Sequence, residues 1–140
     1  MLQGGADQAV ALPVDGIDTA PRVLVADDEE DIRALVCLAV RKAGCTAAAA
    51  VGDGIAALRT ARADVPALAV LDVSMPGRTG LEVCTALRAE PGTAGIQILL
   101  LSAGASADDV ARGLAAGADA YLAKPFAVTD LVTRVKELVA

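Results

Sequence analysis

The stretch Val23-Leu-Val-Ala-Asp-Asp28 is a short apolar run that ends abruptly in two carboxylates. The same arrangement comes three more times along the chain, each time with a different polar residue after the run. Asp72 follows Ala67–Leu71, Ser102 follows Ile96–Leu101 and Lys124 follows Ala120–Ala123. Short apolar runs bounded by polar residues are typical of strands that are buried on both faces of a parallel sheet.

Helical stretches separate these runs. Helices are predicted at 29–43, 54–63, 80–90, 106–116 and 128–139, and a further strand at Thr46–Val51. Five strand–helix repeats predict an α/β protein with a three-layer, doubly wound (βα)5 fold and a five-stranded parallel sheet. The Thr46–Val51 run is rich in alanine, which has weak strand propensity, so we expect it at an edge of the sheet. Thr79 and Glu82 have the spacing of a helix-starting capping box.

Length and composition limit the classes of protein that the chain can represent. A chain of 140 residues has room for one domain, which we place at 21–140 after a poorly ordered tail at 1–20. The absence of histidine excludes an imidazole base or metal ligand. A net charge of −6 argues against a nucleic-acid partner, and no apolar run reaches the roughly 20 residues of a membrane span. Three cysteines at scattered spacings are expected to be thiols in a reducing cytoplasm.

The polar residues that end the runs should meet in space. In a parallel sheet the carboxyl ends of all strands lie at one edge, and ligands bind in the crevice there. Asp27, Asp28 and Asp72 should therefore lie close together, with Ser102 and Lys124 beside them. Close carboxylates repel one another, and a hard divalent cation such as Mg²⁺ relieves that repulsion.

The grouping is suited to phosphoryl transfer. One carboxylate can attack phosphorus, while a metal ion and a lysine neutralise the charge on the phosphoryl oxygens. Each residue alone has an ordinary structural explanation. Acidic residues favour the first turn of a helix, a lone aspartate can cap a turn, and a lysine or serine can simply be exposed. The coincidence of all four strand ends favours the chemical interpretation.

Four segments carry a resemblance to a known family. They are Val23-Leu-Val-Ala-Asp-Asp28, Leu71-Asp-Val-Ser-Met-Pro-Gly77, Leu99-Leu-Leu-Ser-Ala103 and Tyr121-Leu-Ala-Lys-Pro-Phe126. In order and spacing, over about residues 22–140, the chain resembles the response-regulator receiver domain of two-component signalling. The resemblance implies a flavodoxin-like sheet with the strand order 2-1-3-4-5 and a stand-alone, single-domain type of receiver.

The resemblance also implies a role for each site residue. Asp72 is the expected phospho-acceptor, and Asp28, Asp72 and the Ser74 carbonyl are expected to bind Mg²⁺, with Asp27 acting chiefly through water. Ser102 resembles the hydroxyl that moves toward the phosphoryl group, Tyr121 the aromatic residue that reorients with it, and Lys124 the phosphate-contacting lysine. Such a protein is a signalling phospho-acceptor rather than an enzyme with an external substrate.

The resemblance implies partners as well. The phosphoryl donor is expected to be a sensor histidine kinase or a phosphotransfer protein, and the surface around strands 4 and 5 and helices 4 and 5 is expected to switch the binding of an output partner. Neither direct nucleic-acid binding nor a membrane is expected. The chain ends at Ala140, so it either acts alone through its surface or is part of a longer regulator.

Three other classes are possible on the same fold. A receiver-like binding module that is never phosphorylated would be expected to lack one of the acids or the lysine, and none is missing. A flavodoxin-type electron carrier usually offers aromatic rings to its flavin, whereas this chain has only Tyr121 and Phe126. A phosphatase of the haloacid-dehalogenase type needs a second aspartate two residues after the nucleophile, where this chain has Ser74.

Two local features of the chain can also be predicted. The Lys124–Pro125 bond is predicted to be cis, because X-Pro bonds have only about 0.5–1 kcal/mol of trans preference and a sharp turn there would direct Lys124 into the site. In the first helix, an inward stripe of Ile32, Leu35, Val36 and Ala39 leaves Ala34, Cys37, Leu38 and Arg41 on or near the outer face.

Overall fold

The structure, a computed structural model, describes residues 19–140. Ten elements alternate strictly between strand and helix. They are β1 (Arg22–Ala26), α1 (Glu30–Lys42), β2 (Thr46–Val51), α2 (Gly54–Ala63), β3 (Leu68–Asp72), α3 (Gly80–Ala89), β4 (Gln97–Ser102), α4 (Ala107–Ala115), β5 (Ala120–Ala123) and α5 (Val128–Val139). Residues 1–18 of the predicted tail lie outside the described residues.

All five strands pair in parallel, in the order β2-β1-β3-β4-β5. This is the 2-1-3-4-5 order implied by the resemblance, and the doubly wound α/β fold is confirmed. The alanine-rich β2 lies at one edge of the sheet, as predicted, and β5 lies at the other. The strand order reverses between β1 and β3, so the crevice above their carboxyl ends is the expected ligand site.

Two apolar cores lie on opposite faces of the sheet. Alternate residues of β1 enter different cores: Leu24 packs with residues of α2 and α3, and Val23 packs with residues of α1 and α5. The central strand β3 is buried along its whole length. Each fully buried Leu or Val side chain contributes about 1.5–3 kcal/mol relative to exposure, so the middle strands anchor the sheet.

Polar side chains begin several of the helices. At α3 the Thr79 hydroxyl accepts a hydrogen bond from the Glu82 amide and the Glu82 carboxylate accepts one from the Thr79 amide, which confirms the predicted capping box. Ser106 and Asp109 form a second capping box at α4. These reciprocal bonds satisfy helix N–H groups that have no partner within the helix.

The outer face of α1 is only partly as predicted. Leu38 is exposed, with 43% of its surface accessible, whereas Cys37 is buried. The prediction for Cys37 is wrong because α1 packs against α5 as well as against β1 and β2. The buried face of α1 is therefore wider than a stripe that faces the sheet alone.

Across residues 19–140, the helices are too short or too polar to cross a lipid bilayer.

Candidate metal centre

Three carboxylates meet at the carboxyl edge of the sheet. Asp27 and Asp28 follow β1, and Asp72 ends the neighbouring strand β3. One carboxylate oxygen from each residue lies within 4.8 Å of the other two. Asp27 and Asp72 are buried while Asp28 is exposed, so the cluster has a dry side toward the sheet and a wet side toward solvent.

Lys124 reaches this cluster from the far edge of the sheet. Its Nζ atom lies 2.9 Å from Asp27 Oδ2, 3.4 Å from Asp72 Oδ2 and 3.3 Å from Glu29 Oε1. The Lys124–Pro125 bond is cis, as predicted. Burial alone would lower the pKa of Lys124, but the hydrogen bond to Asp27 and the nearby carboxylate charges raise it overall. The ammonium is therefore a fixed positive charge between two buried acids.

The acid group of Asp72 is strongly perturbed. Its burial, and next the negative charge of Asp27, raise its pKa from the ordinary 3.8 to about 6. The Lys124 ammonium and the backbone N–H of Ser74, which lies 3.3 Å from Asp72 Oδ1, act in the opposite direction. Without a bound cation the site thus holds more negative charge than Lys124 can balance.

Asp27 and Asp28 differ in how many of their oxygens are engaged. Asp27 Oδ1 accepts a hydrogen bond from the Glu29 amide at 2.9 Å, and Asp27 Oδ2 accepts one from Lys124. Among residues 19–140, no hydrogen bond or ion pair engages the Asp28 carboxylate. Asp28 is therefore free to bind a cation directly, whereas Asp27 suits a more distant, water-mediated position.

An open cavity of about 290 Å³ lies over the cluster. Its lining residues are Asp28, Glu29, Asp72, Ser74, Ala103 and Lys124. Carboxylate and carbonyl oxygens are the ligands that Mg²⁺ prefers, and Mg²⁺ typically joins one or two carboxylates to a phosphate. The donor set and the lysine therefore fit a magnesium ion and an anionic group side by side.

The structure places Ser102 and Tyr121 beside the cavity rather than in its wall. Ser102 ends β4, and its Oγ accepts a hydrogen bond from the Gly104 amide at 3.0 Å. The Tyr121 hydroxyl donates to the carbonyl oxygen of Gly104. Ala103, the residue directly after Ser102, lines the cavity instead. The two predicted switch residues are thus joined to each other through Gly104.

Sequence reasoning missed two residues that shape the site. The sequence predicts Glu29 only as the first residue of a helix over 29–43, yet its carboxylate shares Lys124 with Asp27 and Asp72. Arg33 Nη1 donates to the backbone oxygen of Asp27 at 2.9 Å and so holds the end of β1. Glu29 directly follows the aspartate pair and could have been suspected; the sequence carries no signal for the role of Arg33.

Fold and site together define the class: a doubly wound α/β protein with an acidic, lysine-containing crevice at its switch point. Residues 23–136 match the family model described as "Response regulator receiver domain". The chain belongs to this family of signalling proteins. Membership sets aside the flavodoxin-type carrier and the haloacid-dehalogenase phosphatase.

Two proteins of Mycobacterium tuberculosis are similar in sequence to this chain. The transcriptional regulatory protein PrrA of Mycobacterium tuberculosis is 48% identical over 120 residues, which cover 86% of this chain and 50% of PrrA. The DNA-binding response regulator MtrA of the same organism is 39% identical over 115 residues, which cover 82% of this chain and 49% of MtrA. The chain spans about half the length of these relatives.

Solved structures agree with the fold. The receiver domain of NarL from M. tuberculosis superposes with a TM-score of 0.80 at 31% identity, covering 86% of this chain and 96% of that domain. The chemotaxis response regulator CheY4 of Vibrio cholerae superposes with a TM-score of 0.79 at 30% identity, covering 86% and 99%. Both are similar to this chain over almost the whole of their own length.

The prediction that nucleic acid is not among the partners is wrong. MtrA is named a DNA-binding response regulator and PrrA a transcriptional regulatory protein. That prediction rested on the net charge of this chain, which corresponds to only about half of either relative. The charge of one part of a protein does not decide what the rest of it binds.

Proposed function

We propose that Asp72 accepts a phosphoryl group from a phospho-histidine donor in the presence of Mg²⁺. One observation carries this proposal: a buried aspartate at a strand end lies between an aspartate pair and a lysine ammonium. A receiver of this family with every acid and the lysine in place is better suited to phosphorylation than to passive binding.

The transfer is a displacement at phosphorus. An Asp72 carboxylate oxygen forms a new O–P bond as the N–P bond to the donor imidazole breaks, and the imidazole nitrogen keeps that electron pair. The nucleophile must be ionised, and the pKa of about 6 leaves most of Asp72 ionised near neutral pH. Lys124 is placed to balance charge on the phosphoryl oxygens, because its ammonium already lies 3.4 Å from Asp72.

The residues that would hold Mg²⁺ are Asp28, Asp72 and the carbonyl of Ser74, with Asp27 contributing through water. A bound magnesium ion supplies charge neutralisation for the carboxylates and the incoming phosphoryl group. Asp28 supports this assignment because its carboxylate is exposed and unengaged among residues 19–140.

The response to phosphorylation would pass through Gly104. If Ser102 turns toward a phosphoryl group on Asp72, its Oγ must release or stretch the hydrogen bond from the Gly104 amide. Tyr121 holds the carbonyl of the same residue. A shift at Ser102 would therefore move the loop before α4 and the Tyr121 ring together, altering the surface offered to an output partner.

Intact-mass measurement after incubation with Mg²⁺ and a small phosphodonor tests the proposal. One phosphoryl group per chain is expected, stable in acid and labile to base and hydroxylamine, because an acyl phosphate is a mixed anhydride. Asp72→Asn keeps the side-chain shape and should abolish the label, and a chelator should do nearly the same. Asp130→Asn, at an exposed site on α5, is the matched control. Labelling of Asp72→Asn at the wild-type level would refute the assignment.

We further propose that the output of this signal is DNA binding, as the name of MtrA indicates for that relative. The donor would be a sensor kinase or a phosphotransfer protein in the cytoplasm, a reducing compartment in which the three free thiols are stable. Chromatin immunoprecipitation of the tagged protein from its native cell, with and without Asp72→Asn, tests the output. Enrichment of specific DNA that depends on Asp72 is expected, and its absence would contradict this part.

A further inference from the structure

A cleft lies between α2 and the loop that carries Arg78. We call it the arginine cleft, and its lining residues are Ile55, Leu58, Arg59, Arg62, Ala63 and Arg78. It encloses about 450 Å³, more than the cavity over Asp72. The amide of Gly54 donates to the carbonyl of Pro76 at 3.1 Å, so the start of α2 is fixed to the loop that carries Arg78.

The cleft is positively charged on a negatively charged protein. Arg62 is neutralised by Glu90, with Nη2 and Oε2 2.5 Å apart. Arg59 and Arg78 are exposed, and among residues 19–140 neither forms an ion pair. In a chain of net charge −6, two unpaired guanidinium groups on one cleft favour an acidic occupant.

The cleft also has an exposed apolar surface. Ile55 is one of four large hydrophobic side chains that are substantially exposed in the described part of the chain, with 50% of its surface accessible. Leu58, one turn further along α2, is buried beneath it. An occupant that carries both carboxylates and branched apolar side chains would match both properties of the cleft.

The chain itself contains such a segment. Residues 7–18 read Asp7-Gln-Ala-Val-Ala-Leu-Pro-Val-Asp-Gly-Ile-Asp18, with three aspartates and four large apolar side chains. No lysine or arginine precedes Arg22. The segment therefore has negative charges that complement the arginines of the cleft and apolar side chains that match its exposed apolar surface.

The first strand of the described fold begins near the cleft. Arg22, the first residue of β1, forms an ion pair with Asp64, with Nη2 and Oδ2 2.5 Å apart. Asp64 directly follows Ala63, which lines the cleft. A ten-residue helix is about 15 Å long, a length that about five extended residues span. The segment is therefore long enough to run along α2 from its last residue to Ile55.

We propose that residues 7–18 dock in the arginine cleft of their own chain, with aspartates paired to Arg59 and Arg78 and an apolar side chain against Ile55. Attachment through Arg22 gives the segment a high effective concentration at the cleft, so individually weak ion pairs suffice. An acidic segment of another molecule would need a much higher affinity to compete.

Methyl NMR of the full chain tests the proposal, because Ile55 is one of only five isoleucines. The readout is the tail-dependent shift of the Ile55 methyl: the difference between the intact chain and a variant carrying Asp7→Asn, Asp15→Asn and Asp18→Asn. Ile98, which is fully buried in the core, provides an internal reference. We expect a clear tail-dependent shift at Ile55, none at Ile98, and a reduction in high salt.

Charge-reversal variants locate the docking site. Arg59→Glu combined with Arg78→Glu should reduce the tail-dependent shift at least about threefold, since two ion pairs are lost. Lys136→Glu, at an exposed position on α5, is the matched control and should leave it unchanged. Asp7→Lys, Asp15→Lys and Asp18→Lys together should restore the shift in the Arg59→Glu, Arg78→Glu background.

Three results would overturn the proposal. One is an Ile55 methyl that does not respond when the tail aspartates are neutralised. Another is an equal loss of the tail-dependent shift in Lys136→Glu, which would mean general electrostatics rather than docking. The third is a tail-dependent shift that falls on dilution, which would assign the cleft to a second copy of the chain.

Discussion

The backbone of Gly104 approaches the side chain of Asp109 so closely that a Cβ atom at Gly104 would lie 2.6 Å from Asp109 Oδ2. Asp109 closes the capping box of α4, where its carboxylate accepts from the Ser106 amide and hydroxyl. Gly104, whose backbone forms hydrogen bonds with both Ser102 and Tyr121, thus also touches the first turn of α4. A larger residue at Gly104 would displace Asp109 and open that capping box.

Gly104→Val is therefore expected to destabilise the protein by about 1 kcal/mol, the usual contribution of a helix cap. Urea unfolding measures the change. Ser106→Ala removes the same cap, so the double variant should cost less than the sum of the two single variants. Full additivity would show that Gly104 and the capping box are energetically independent. Ala105→Val, at the exposed neighbouring position, is the matched control.

Asp72 should make the stability of the metal-free protein depend on pH. The folded-state pKa of about 6 lies above the ordinary 3.8, so between about pH 4 and pH 6 the folded state binds more protons than the unfolded chain. The contribution of Asp72 to stability is thus present below this window and is lost as the pH rises through it. Asp72→Asn should be more stable than wild type at pH 7 in the presence of a chelator.

The comparison of urea midpoints at about pH 4.5 and pH 7 isolates this effect. The advantage of Asp72→Asn should shrink at the lower pH, whereas the exposed Asp130→Asn should show no such change. Saturating Mg²⁺ should stabilise wild type and reduce the gap at pH 7, since a ligand that binds only the folded state stabilises it. An equal midpoint for wild type and Asp72→Asn at pH 7 would contradict the raised pKa.

Lys124 should contribute to folding as well as to chemistry. Its ammonium is the cation between Asp27, which is fully buried, and Asp72. Lys124→Met should cost about 3 kcal/mol without Mg²⁺, because removal of one partner leaves buried negative charge uncompensated. Adding Asp72→Asn to Lys124→Met should recover part of that loss in urea unfolding. No recovery would mean that the lysine acts through packing of its stem.

Structural features that follow from the repeated strand–helix pattern could be predicted from the sequence. Four of the five strands end at or just before a polar residue, so the sheet, its edge strand and the meeting of Asp27, Asp28 and Asp72 could all be predicted. Contacts between distant segments could not. Glu29 reaches Lys124, and Gly104 touches Asp109, because of loop paths that no local pattern encodes. Cys37 was misplaced for the same reason, since the position of α5 determines how much of α1 is buried.

The exposed Leu38 offers a test of donor docking. It lies on the outer face of α1, which begins beside the acidic cluster, and 43% of its surface is accessible. Leu38→Glu should slow phosphoryl transfer from the kinase at least about tenfold while leaving labelling by a small phosphodonor intact. Leu114→Glu, at a similarly exposed position on α4, is the matched control. Equal loss of both reactions would indicate misfolding instead.

We expect the lifetime of the phosphorylated form to depend on Ser74, which lies two positions after the proposed acceptor Asp72. Hydrolysis of the acyl phosphate needs a water molecule held in line with the departing Asp72 oxygen, and good positioning contributes several kcal/mol in well-oriented systems. Ser74 lines the cavity, but its hydroxyl is short, and Gly104, two residues after Ser102, has no side chain. Water therefore has access but little positioning, so we expect a long-lived phosphoprotein. Ser74→Asn, whose amide reaches further, should shorten the lifetime several-fold in a decay assay by intact mass.

A bulky residue at Gly104, next to the cavity-lining Ala103, is expected to have the opposite effect on decay by narrowing the approach of water to Asp72. The capping box complicates this variant, since Gly104→Val also displaces Asp109. Ser106→Ala separates the two effects: it opens the same capping box and leaves the approach to Asp72 unobstructed. Decay should therefore slow in Gly104→Val and stay at the wild-type rate in Ser106→Ala. An unchanged rate in Ser74→Asn, together with fast decay of wild type, would mean that water access rather than water positioning limits the reaction.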